Sequence, residues 1–293
     1  MPSNKKYTRK PMTIPDNNTY KIGNDLAVNR IGFGAMRITG EGVWGQPKNR
    51  DEAIRVLQAL PGLGVNFIDT ADSYGPYVSE ELIAQALHPY PADMVIATKG
   101  GLERSGPNAW HINGHPDHLR EALEGSLKRL KLDRIDLYQL HRIDPKVPFE
   151  STMSFLQKAQ QQGLIKHIGL SEVNLATLKK AQQFVSIVSL QNRYSIVARN
   201  WEPELEYCRE HHIAFIPWNP INAGDITYAA KLTKIANKHK ATGQQVALSW
   251  LYHHSPNILL IPGTSKASHL AENVKAAEVK LTAEEMAELS TIE

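Results

Sequence analysis

Four ionisable residues stand at or just beyond the ends of apolar segments. Asp69 closes one segment, Tyr74 follows it five positions later, and Lys99 and His141 close two further segments. A neighbouring ammonium group favours the ionised form of a tyrosine, so Lys99 predicts a lowered pKa for Tyr74. We expect Asp69 to hold Lys99 in an ion pair and His141 to orient a carbonyl oxygen by a hydrogen bond. Together they suit proton delivery to an oxygen that becomes an alkoxide, as in carbonyl reduction by hydride.

Each of these residues also has a structural interpretation when it is taken alone. Asp69 could cap the next turn, Tyr74 could pack at a rim, and Lys99 could be a solvated charge at a strand end. His141 could be a hydrogen-bonded structural histidine. Convergence of all four at the ends of three neighbouring strands favours a reactive site over these alternatives.

The elements that would position these residues alternate along the chain. Eight apolar strands alternate with amphipathic helices, which is typical of a parallel sheet. Eight units in 293 residues favour an α/β fold of the (β/α)8 TIM barrel type, with chemistry at the carboxyl ends of the strands. An open doubly wound sheet is the alternative. The predicted strands are NRIGFGAMRI (29–38), VNFID, MVIATK, RIDLYQLH, LIKHIGLS, VSLQ, AFIPW and ILLIP.

Smaller signals predict the rest of the architecture. The segments TYKIG and LAVNR predict an N-terminal β-hairpin around Gly23 and Asn24, and the last helix, AEEMAELSTI, is an extra C-terminal one. Asp51 is a predicted helix N-cap and Gly163 a predicted helix terminator. We expect residues 1–18 to form a flexible polar tail and residues 19–293 a single domain.

The totals restrict the class of protein. Thirty-three basic residues nearly balance thirty acidic ones, which argues against nucleic-acid or membrane partners. Cys208 is the one cysteine, and a chain without an internal disulfide fits a reducing compartment. No apolar run reaches the ~20 residues of a membrane span, and the start lacks a secretory h-region. We therefore expect a cytoplasmic monomer or weak homo-oligomer.

Six segments make the sequence similar to a known family from about residue 20 onwards. The segments DTADSYG, MVIATKGG, RIDLYQLH, HIGLSE, SLQNRYS and IPGTSKASHLAENVKAA resemble those of the aldo-keto reductases. The resemblance is closest to a bacterial short-looped branch that includes pyridoxal-reductase-like members. It implies an NADPH-dependent barrel enzyme whose catalytic tetrad is Asp69, Tyr74, Lys99 and His141.

The resemblance also implies a cofactor site along the barrel mouth. Ser171 and Gln191 match the pair that holds the nicotinamide carboxamide, and Trp218 matches the residue that stacks on its ring. The remaining positions implied are Gly34, Met36, Glu172, Asn219, Pro220, Gly263, Thr264, Ser265, Lys266, His269, Glu272 and Asn273.

Three of these positions depart from the usual family pattern. Glu172 stands where asparagine is usual, and Asn174 or Asn192 is expected to compensate. Gly263 and His269 stand where many members have lysine and arginine, which removes positive charge from the site of the 2′-phosphate. With Lys266 restoring one charge, we expect NADPH as cofactor, with NADH possible.

Aromatic residues in the loops predict a substrate pocket for a small carbonyl compound. Trp44, Tyr77 and Trp110 lie in loops at the catalytic rim, and short loops after strands 4 and 7 suit compact or planar molecules. Pyridoxal, aromatic aldehydes and small sugar-derived aldehydes remain open.

Two other classes of protein are alternatives. A metal-dependent hydrolase would need clustered ligands, whereas the twelve histidines lie mostly in helices and loops, so no metal is expected. The second is a nicotinamide-binding redox-sensing subunit with little turnover.

Overall fold

The computed structural model describes residues 18–221 and 229–292. The predicted tail therefore lies outside the described residues, apart from Asn18. Within the described ranges, no helix is both long and apolar enough to cross a membrane.

The centre of the fold is a parallel sheet closed into a barrel. Its seven regular strands are β3 (Phe33–Gly34), β4 (Phe67–Asp69), β5 (Val95–Gly100), β8 (Ile135–Leu140), β9 (Ile165–Ser171), β10 (Ile187–Gln191) and β11 (Ala214–Phe215). They pair in the order β11-β10-β9-β8-β5-β4-β3. The segment 258–260 joins the two edges, because Ile258 bridges Phe215 and Leu260 bridges Ile31, both in parallel. This segment is the eighth strand, so the predicted (β/α)8 barrel is confirmed.

Helices follow the strands and cover the outside of the barrel. Their apolar faces pack on the strands in one continuous hydrophobic core. The described helices are α1 (Arg50–Ala59), α2 (Val78–Leu87), α3 (Pro116–Leu130), α4 (Phe149–Gln161), α5 (Leu175–Ala181), α6 (Glu202–Glu210), α7 (Ala229–His239), α8 (Gly243–His254), α9 (Ala267–Val274) and α10 (Ala283–Leu289).

An antiparallel hairpin of β1 (Thr19–Ile22) and β2 (Leu26–Asn29) precedes the barrel, as the sequence predicts. Its side chains Ile22, Leu26 and Val28 pack in one buried cluster with residues of β4, β5, β8 and β10. Gly23 has φ +59° and lies so close to the His167 ring that a Cβ atom would be 2.3 Å from it. The hairpin thus closes the amino-terminal end of the barrel.

Two local predictions are wrong in detail. The first predicted strand, 29–38, shrinks to a bridge at Ile31 and the two residues of β3, because residues Ala35–Ile38 form a 3₁₀ turn. The N-cap of α1 is Asn49 rather than Asp51, since the Asn49 side chain accepts the Glu52 N–H at 2.9 Å. Gly163 follows α4 with φ +78°, as expected of a helix terminator.

The long insertion after β5 contains a hairpin that the sequence did not reveal. Strands β6 (Leu102–Gly106) and β7 (Ala109–Ile112) pair antiparallel, with a register shift between Arg104 and Gly106. The hairpin therefore lies at the carboxyl end of the barrel strands, beside the predicted catalytic residues.

Candidate active site

The four predicted catalytic residues meet at the carboxyl ends of three adjacent strands. Asp69 ends β4, Lys99 lies next to the end of β5, His141 follows β8, and Tyr74 lies in the loop after β4. Lys99 is 0% exposed and Asp69 2%, whereas Tyr74 and His141 keep 7% and 6%. The ion pair therefore lies behind the two groups that can reach a substrate.

Lys99 joins the other members of the set. Its Nζ donates to Asp69 Oδ2 at 2.6 Å, to the Thr70 carbonyl at 2.9 Å and to the Tyr74 hydroxyl at 3.4 Å. All three N–H groups of the ammonium thus have acceptors within the site. Burial lowers the pKa of Lys99, but its interactions with Asp69 and Tyr74, hydrogen bonds included, outweigh burial, and the net shift is upward. Lys99 is a cation at neutral pH.

Two buried amides fix the Asp69 carboxylate from its other side. Gln139 Nε2 donates to Asp69 Oδ1 at 2.9 Å, and Gln191 Nε2 donates to the same oxygen at 2.8 Å. The sequence predicted Gln191 as a cofactor residue and missed Gln139. The period-two alternation of β8, which turns Gln139 into the barrel, could have revealed it.

The prediction that the pKa of Tyr74 is lowered is wrong, because the shift has the opposite direction. Burial raises the pKa of Tyr74, and this exceeds the opposing effects of Lys99 and Arg142. Removal from water disfavours the phenolate, and one ammonium does not offset that cost. Tyr74 therefore remains a protonated phenol at neutral pH, which is the form needed to donate a proton.

His141 lies next to this phenol as a neutral imidazole. Its ring centroid is 6.0 Å from that of Tyr74, with the two planes at 78°. Burial and the charges of Lys99 and Arg142 hold the pKa of His141 well below its usual range. Its Nδ1 lies 3.5 Å from the Ser73 hydroxyl. A neutral imidazole can donate one hydrogen bond without adding charge.

Polar groups continue from the tetrad along the ends of β9 and β10. Arg142 Nη1 donates to Ser171 Oγ at 3.0 Å, which places a second cation next to the tetrad. Glu172, with φ +54°, accepts the Trp218 indole N–H at 2.6 Å. Glu172 thus fixes the half-buried Trp218 ring through its carboxylate, a role that the sequence did not predict.

The two asparagines expected to substitute for the missing one both hydrogen-bond to nearby backbone. Asn192 is 0% exposed, and its amide bonds both the N–H and the carbonyl of Val173. Asn174 is the N-cap of α5 and accepts the Thr177 N–H. Both side chains stabilise backbone turns, which argues against either of them as the substitute, and the compensation stays a prediction.

Two glycines let the ends of β3 and the eighth strand approach closely. A Cβ atom on Gly34 would lie 2.5 Å from the Ile261 carbonyl oxygen, and one on Gly263 would lie 2.7 Å from that of Gly34. The Gly263 Cβ would also lie 3.3 Å from Cγ of Arg37, an exposed cation. Arg37 therefore borders the space where many family members place lysine. Met36 lies in the 3₁₀ turn after Gly34 and is half-buried.

The other predicted cofactor residues follow along this rim. Asn219 has φ +55° and the adjoining Pro220 is buried. Thr264 accepts the Lys266 N–H at 3.1 Å and so shapes the turn into α9, where Ser265, Lys266 and His269 are exposed. Farther along α9, Glu272 is half-buried and Asn273 is 5% exposed.

The first turn of α9 already has one carboxylate bound. Glu52 Oε1 accepts the Ala267 N–H at 3.1 Å, and Glu52 Oε2 accepts Arg55 Nη2 at 2.7 Å. Glu52 therefore already occupies one of the N–H groups that the start of a helix leaves without a partner inside the helix. An anion bound there would lie next to this glutamate. No signal in the sequence pointed to Glu52, which lies 215 residues from its partner.

The aromatic residues predicted to line the pocket separate into two places. Trp110 meets Tyr74 edge to face, with ring centroids 6.4 Å apart. Trp44 and Trp110 both border the Arg104 guanidinium. The Tyr77 ring is 48% exposed and lies against Arg129 of α3. That stacking places the Tyr77 ring apart from the two indoles, and its part in the pocket stays a prediction.

The described residues contain no group of three or more histidine, cysteine, aspartate or glutamate side chains arranged to hold a metal ion. Cys208 is buried, and burial raises the pKa of its thiol. A thiol in that state is a packing group rather than a nucleophile.

Comparisons with known proteins agree with this arrangement of residues. The sequence pattern of the aldo/keto reductase family matches residues 30–293. An uncharacterized oxidoreductase of Schizosaccharomyces pombe is 50% identical over 92% of this chain and 88% of its own. Pyridoxine 4-dehydrogenase of Escherichia coli is 40% identical over 94% of this chain and 98% of its own.

A solved structure extends the likeness to three dimensions. The aldo-keto reductase of Klebsiella pneumoniae in complex with NADPH superposes with a TM-score of 0.78 at 25% identity, covering 93% of each chain. The likeness therefore extends over nearly the whole length of both chains.

Proposed function

The chain belongs to the aldo/keto reductase family, and from that premise we propose that it reduces an aldehyde or ketone to an alcohol with NADPH. One observation carries the proposal. A buried Asp69–Lys99 pair supports a protonated phenol, Tyr74, whose hydroxyl is 3.4 Å from Lys99 Nζ. Next to that phenol stands the neutral imidazole of His141. We assign proton donation to Tyr74 and orientation of the carbonyl oxygen to His141.

The residues act on the oxygen of the substrate. When bound, NADPH supplies the hydride that reduces the carbonyl carbon. Tyr74 gives its proton to the oxygen as negative charge develops there, and the ammonium of Lys99 stabilises the phenolate left behind. Asp69, fixed by Gln139 and Gln191, holds Lys99 in place. His141 donates to the same oxygen and does not compete for the proton, because its pKa is low.

The cofactor proposal is supported by the residues at the rim. Trp218 offers an indole face held by Glu172, and Ser171, the residue before Glu172, offers a hydroxyl that accepts from Arg142. Gly34 and Gly263 lie close together where the chain passes from the barrel into α9. Neither has a side chain that would fill the space beside that passage. Exposed Arg37 lies next to Gly263, exposed Lys266 precedes the first residue of α9, and both provide positive charge for phosphate. We therefore favour NADPH and expect weaker use of NADH.

Pyridoxal is the first substrate that we would test. Dehydrogenation of pyridoxine at its 4-hydroxymethyl group gives pyridoxal. The reduction that we would test for this chain is the reverse reaction, from pyridoxal to pyridoxine. The relative of that name is 40% identical over nearly the whole length. Other small aromatic and aliphatic aldehydes belong to the same panel. The cytoplasmic location and the monomeric or weakly oligomeric state stay predictions.

The test is NADPH oxidation by purified protein at 340 nm with pyridoxal and the aldehyde panel, for wild type and Tyr74→Phe. We expect turnover by the wild type and a loss of about 10²- to 10⁴-fold in kcat in the variant. NADPH affinity, measured by cofactor fluorescence, should stay within about threefold. A variant that kept most of its activity would remove Tyr74 from the role. Tight binding without turnover in the wild type would favour the alternative, a redox-sensing subunit.

A further inference from the structure

The Arg104 side chain occupies an unusual position at the edge of the candidate active site. It comes from β6 and is half-buried. Its guanidinium lies 3.6 Å from the Trp110 ring centroid and 5.6 Å from that of Trp44. These are the two indoles of the predicted substrate wall, so one cation borders both.

All five N–H groups of Arg104 are used by backbone carbonyls. Nε donates to Ala109 at 3.0 Å, and Nη2 donates to Gly106 at 3.1 Å within the β6–β7 hairpin. The other three bonds leave the hairpin, with Nη2 donating to Gly42 at 2.9 Å and Nη1 donating to Val43 at 2.6 Å and to Ser73 at 2.9 Å.

The acceptors belong to three separate segments of the catalytic rim. They are the loop after β3, the loop that carries Tyr74, and the hairpin after β5. Val43 has φ +55°, a strained conformation for a β-branched residue. Its carbonyl accepts both Arg104 Nη1 and the Gly75 N–H. The bonds to the Val43 carbonyl thus hold the backbone of Val43 in an unfavourable conformation in which the three segments are joined.

We propose that Arg104 is the positioning residue that assembles the substrate wall, and that the wall selects flat aromatic carbonyl compounds. The proposal rests on the proposed function and names the substrate class of that same site. With its five donors occupied, Arg104 does not bind a substrate anion. It instead orders the faces of Trp44 and Trp110, and Trp110 in turn contacts Tyr74 edge to face. A planar aromatic ring gains dispersion and π contact from such a wall that an aliphatic aldehyde does not.

The test is a comparison of two substrates of similar volume, benzaldehyde and hexanal, in four proteins. These are the wild type, Arg104→Ala, Arg104→Lys and the control Arg120→Ala. Arg120 lies on the exposed side of α3 over Phe155, away from the wall. For each protein we would measure kcat and KM for both aldehydes and the dissociation constant of NADPH.

We expect Arg104→Ala to raise the KM for benzaldehyde about tenfold and to reduce the benzaldehyde-to-hexanal ratio of kcat/KM by a similar factor. The NADPH dissociation constant should change by less than about twofold. Arg104→Lys keeps the charge but supplies at most three donors and no planar fork. Its benzaldehyde-to-hexanal ratio of kcat/KM should therefore lie between those of the wild type and Arg104→Ala. Arg120→Ala should match the wild type.

The outcomes separate this inference from the proposed function. If the wild type oxidised no NADPH with any aldehyde, the proposed function would fail first. If the wild type turned over and Arg104→Ala kept the same aromatic preference and KM, the positioning role would be wrong. A uniform loss of kcat with both aldehydes would also overturn the selectivity. Should Arg104→Ala not fold, Arg104→Lys and Trp110→Ala provide the same ratio test.

Discussion

The Lys99 ammonium and the Asp69 carboxylate form a solvent-excluded ion pair with Nζ and Oδ2 2.6 Å apart. Each charge has further buried partners, since Lys99 also donates to the Thr70 carbonyl and Asp69 also accepts from two glutamines. A buried pair of this kind is expensive to break, because removing one member leaves the other charge unpaired away from water.

Lys99→Met is expected to lower both stability and activity. The Asp69 carboxylate would lose its counter-charge, at a cost of about 3–5 kcal/mol in the free energy of unfolding. Reductase activity should fall by about 10² or more, because Tyr74 would lose the cation that stabilises its phenolate. Urea unfolding and NADPH oxidation measure the two effects.

The double variant Lys99→Met, Asp69→Asn separates the two contributions. It leaves neither position of the pair charged, so much of the lost stability should return while activity stays low. If activity returned together with stability, the role of Lys99 would be structural rather than catalytic. Lys128→Met, near the end of α3, is a suitable control for the loss of a lysine.

The rate of reduction is expected to be independent of pH through neutrality. Burial raises the pKa of Tyr74 above its ordinary value of 10.0, and burial with two nearby cations holds that of His141 well below 6.5. The phenol thus stays protonated, and the imidazole neutral, from about pH 6.5 to 10. A profile of kcat/KM over that range, taken with one aldehyde at saturating NADPH, checks this.

A fall in rate with a midpoint near pH 7 would contradict it, since neither group would then have the protonation state assigned to it. The lowered pKa of His141 also affects stability. Because the folded pKa is depressed, the contribution of His141 is present above pH 6.5 and is lost as the pH falls below that value, where the unfolded chain takes up the proton first.

Glu52→Gln is expected to strengthen binding of NADPH relative to NADH. Glu52 presents a carboxylate to the Ala267 N–H at the start of α9, between Gly263 and His269, the positions that the resemblance assigns to the site of the 2′-phosphate. Two anions at one helix end repel each other, and the neutral amide removes that repulsion. We expect the ratio of NADH to NADPH dissociation constants to rise about threefold to tenfold. Fluorescence titration with each nucleotide measures it.

Asp51→Asn is the matched control, because Asp51 is the neighbouring exposed acid in the same helical turn. It removes the same charge from α1 without removing the contact to α9. Equal shifts in the two variants would point to a general effect of charge. No shift in either would mean that the 2′-phosphate lies elsewhere than at the start of α9.

The grouping of Asp69, Lys99 and His141 could be predicted from the sequence because each lies at or next to the end of a strand, and Tyr74 follows in the loop after β4. Strand ends in a parallel barrel converge on one rim whatever the loops do, so a polar residue such as His141 after an apolar run is informative. The presence of eight strands was predictable because strands buried on both faces form continuous apolar runs, although the first one is shorter than its apolar run.

Contacts between loops could not be predicted in that way. Arg104 binds carbonyls of Val43 and Ser73, 61 and 31 residues away, and backbone acceptors leave no mark in the sequence. The direction of the Tyr74 pKa shift was wrong because it depends on the extent of burial, which the sequence does not give. The stacking of Tyr77 on Arg129 was not predictable because that partner comes from another helix.

Glu285→Gln is expected to destabilise the fold at neutral pH but not in acid. Glu285 closes the capping box of α10 with Thr282 and accepts from Lys238 at 2.6 Å and His239 at 2.9 Å. Although burial opposes it, the bonds from Lys238, Thr282 and His239 lower its pKa from 4.5 to about 2. The stabilisation is therefore present above pH 4.5 and is lost as the pH falls towards 2.

Lys238 is largely exposed, so solvent screening limits the effect to about 1 kcal/mol at pH 7. The amide side chain of the variant could still cap the helix, which confines the change to charge. Urea unfolding of wild type and variant at pH 7 and pH 3 should give a difference that shrinks in acid. The control is Glu288→Gln, whose partner Lys234 lies 3.8 Å away at the surface. A constant difference between Glu285→Gln and wild type at both pH values would assign the stabilisation to packing rather than to the ionised carboxylate.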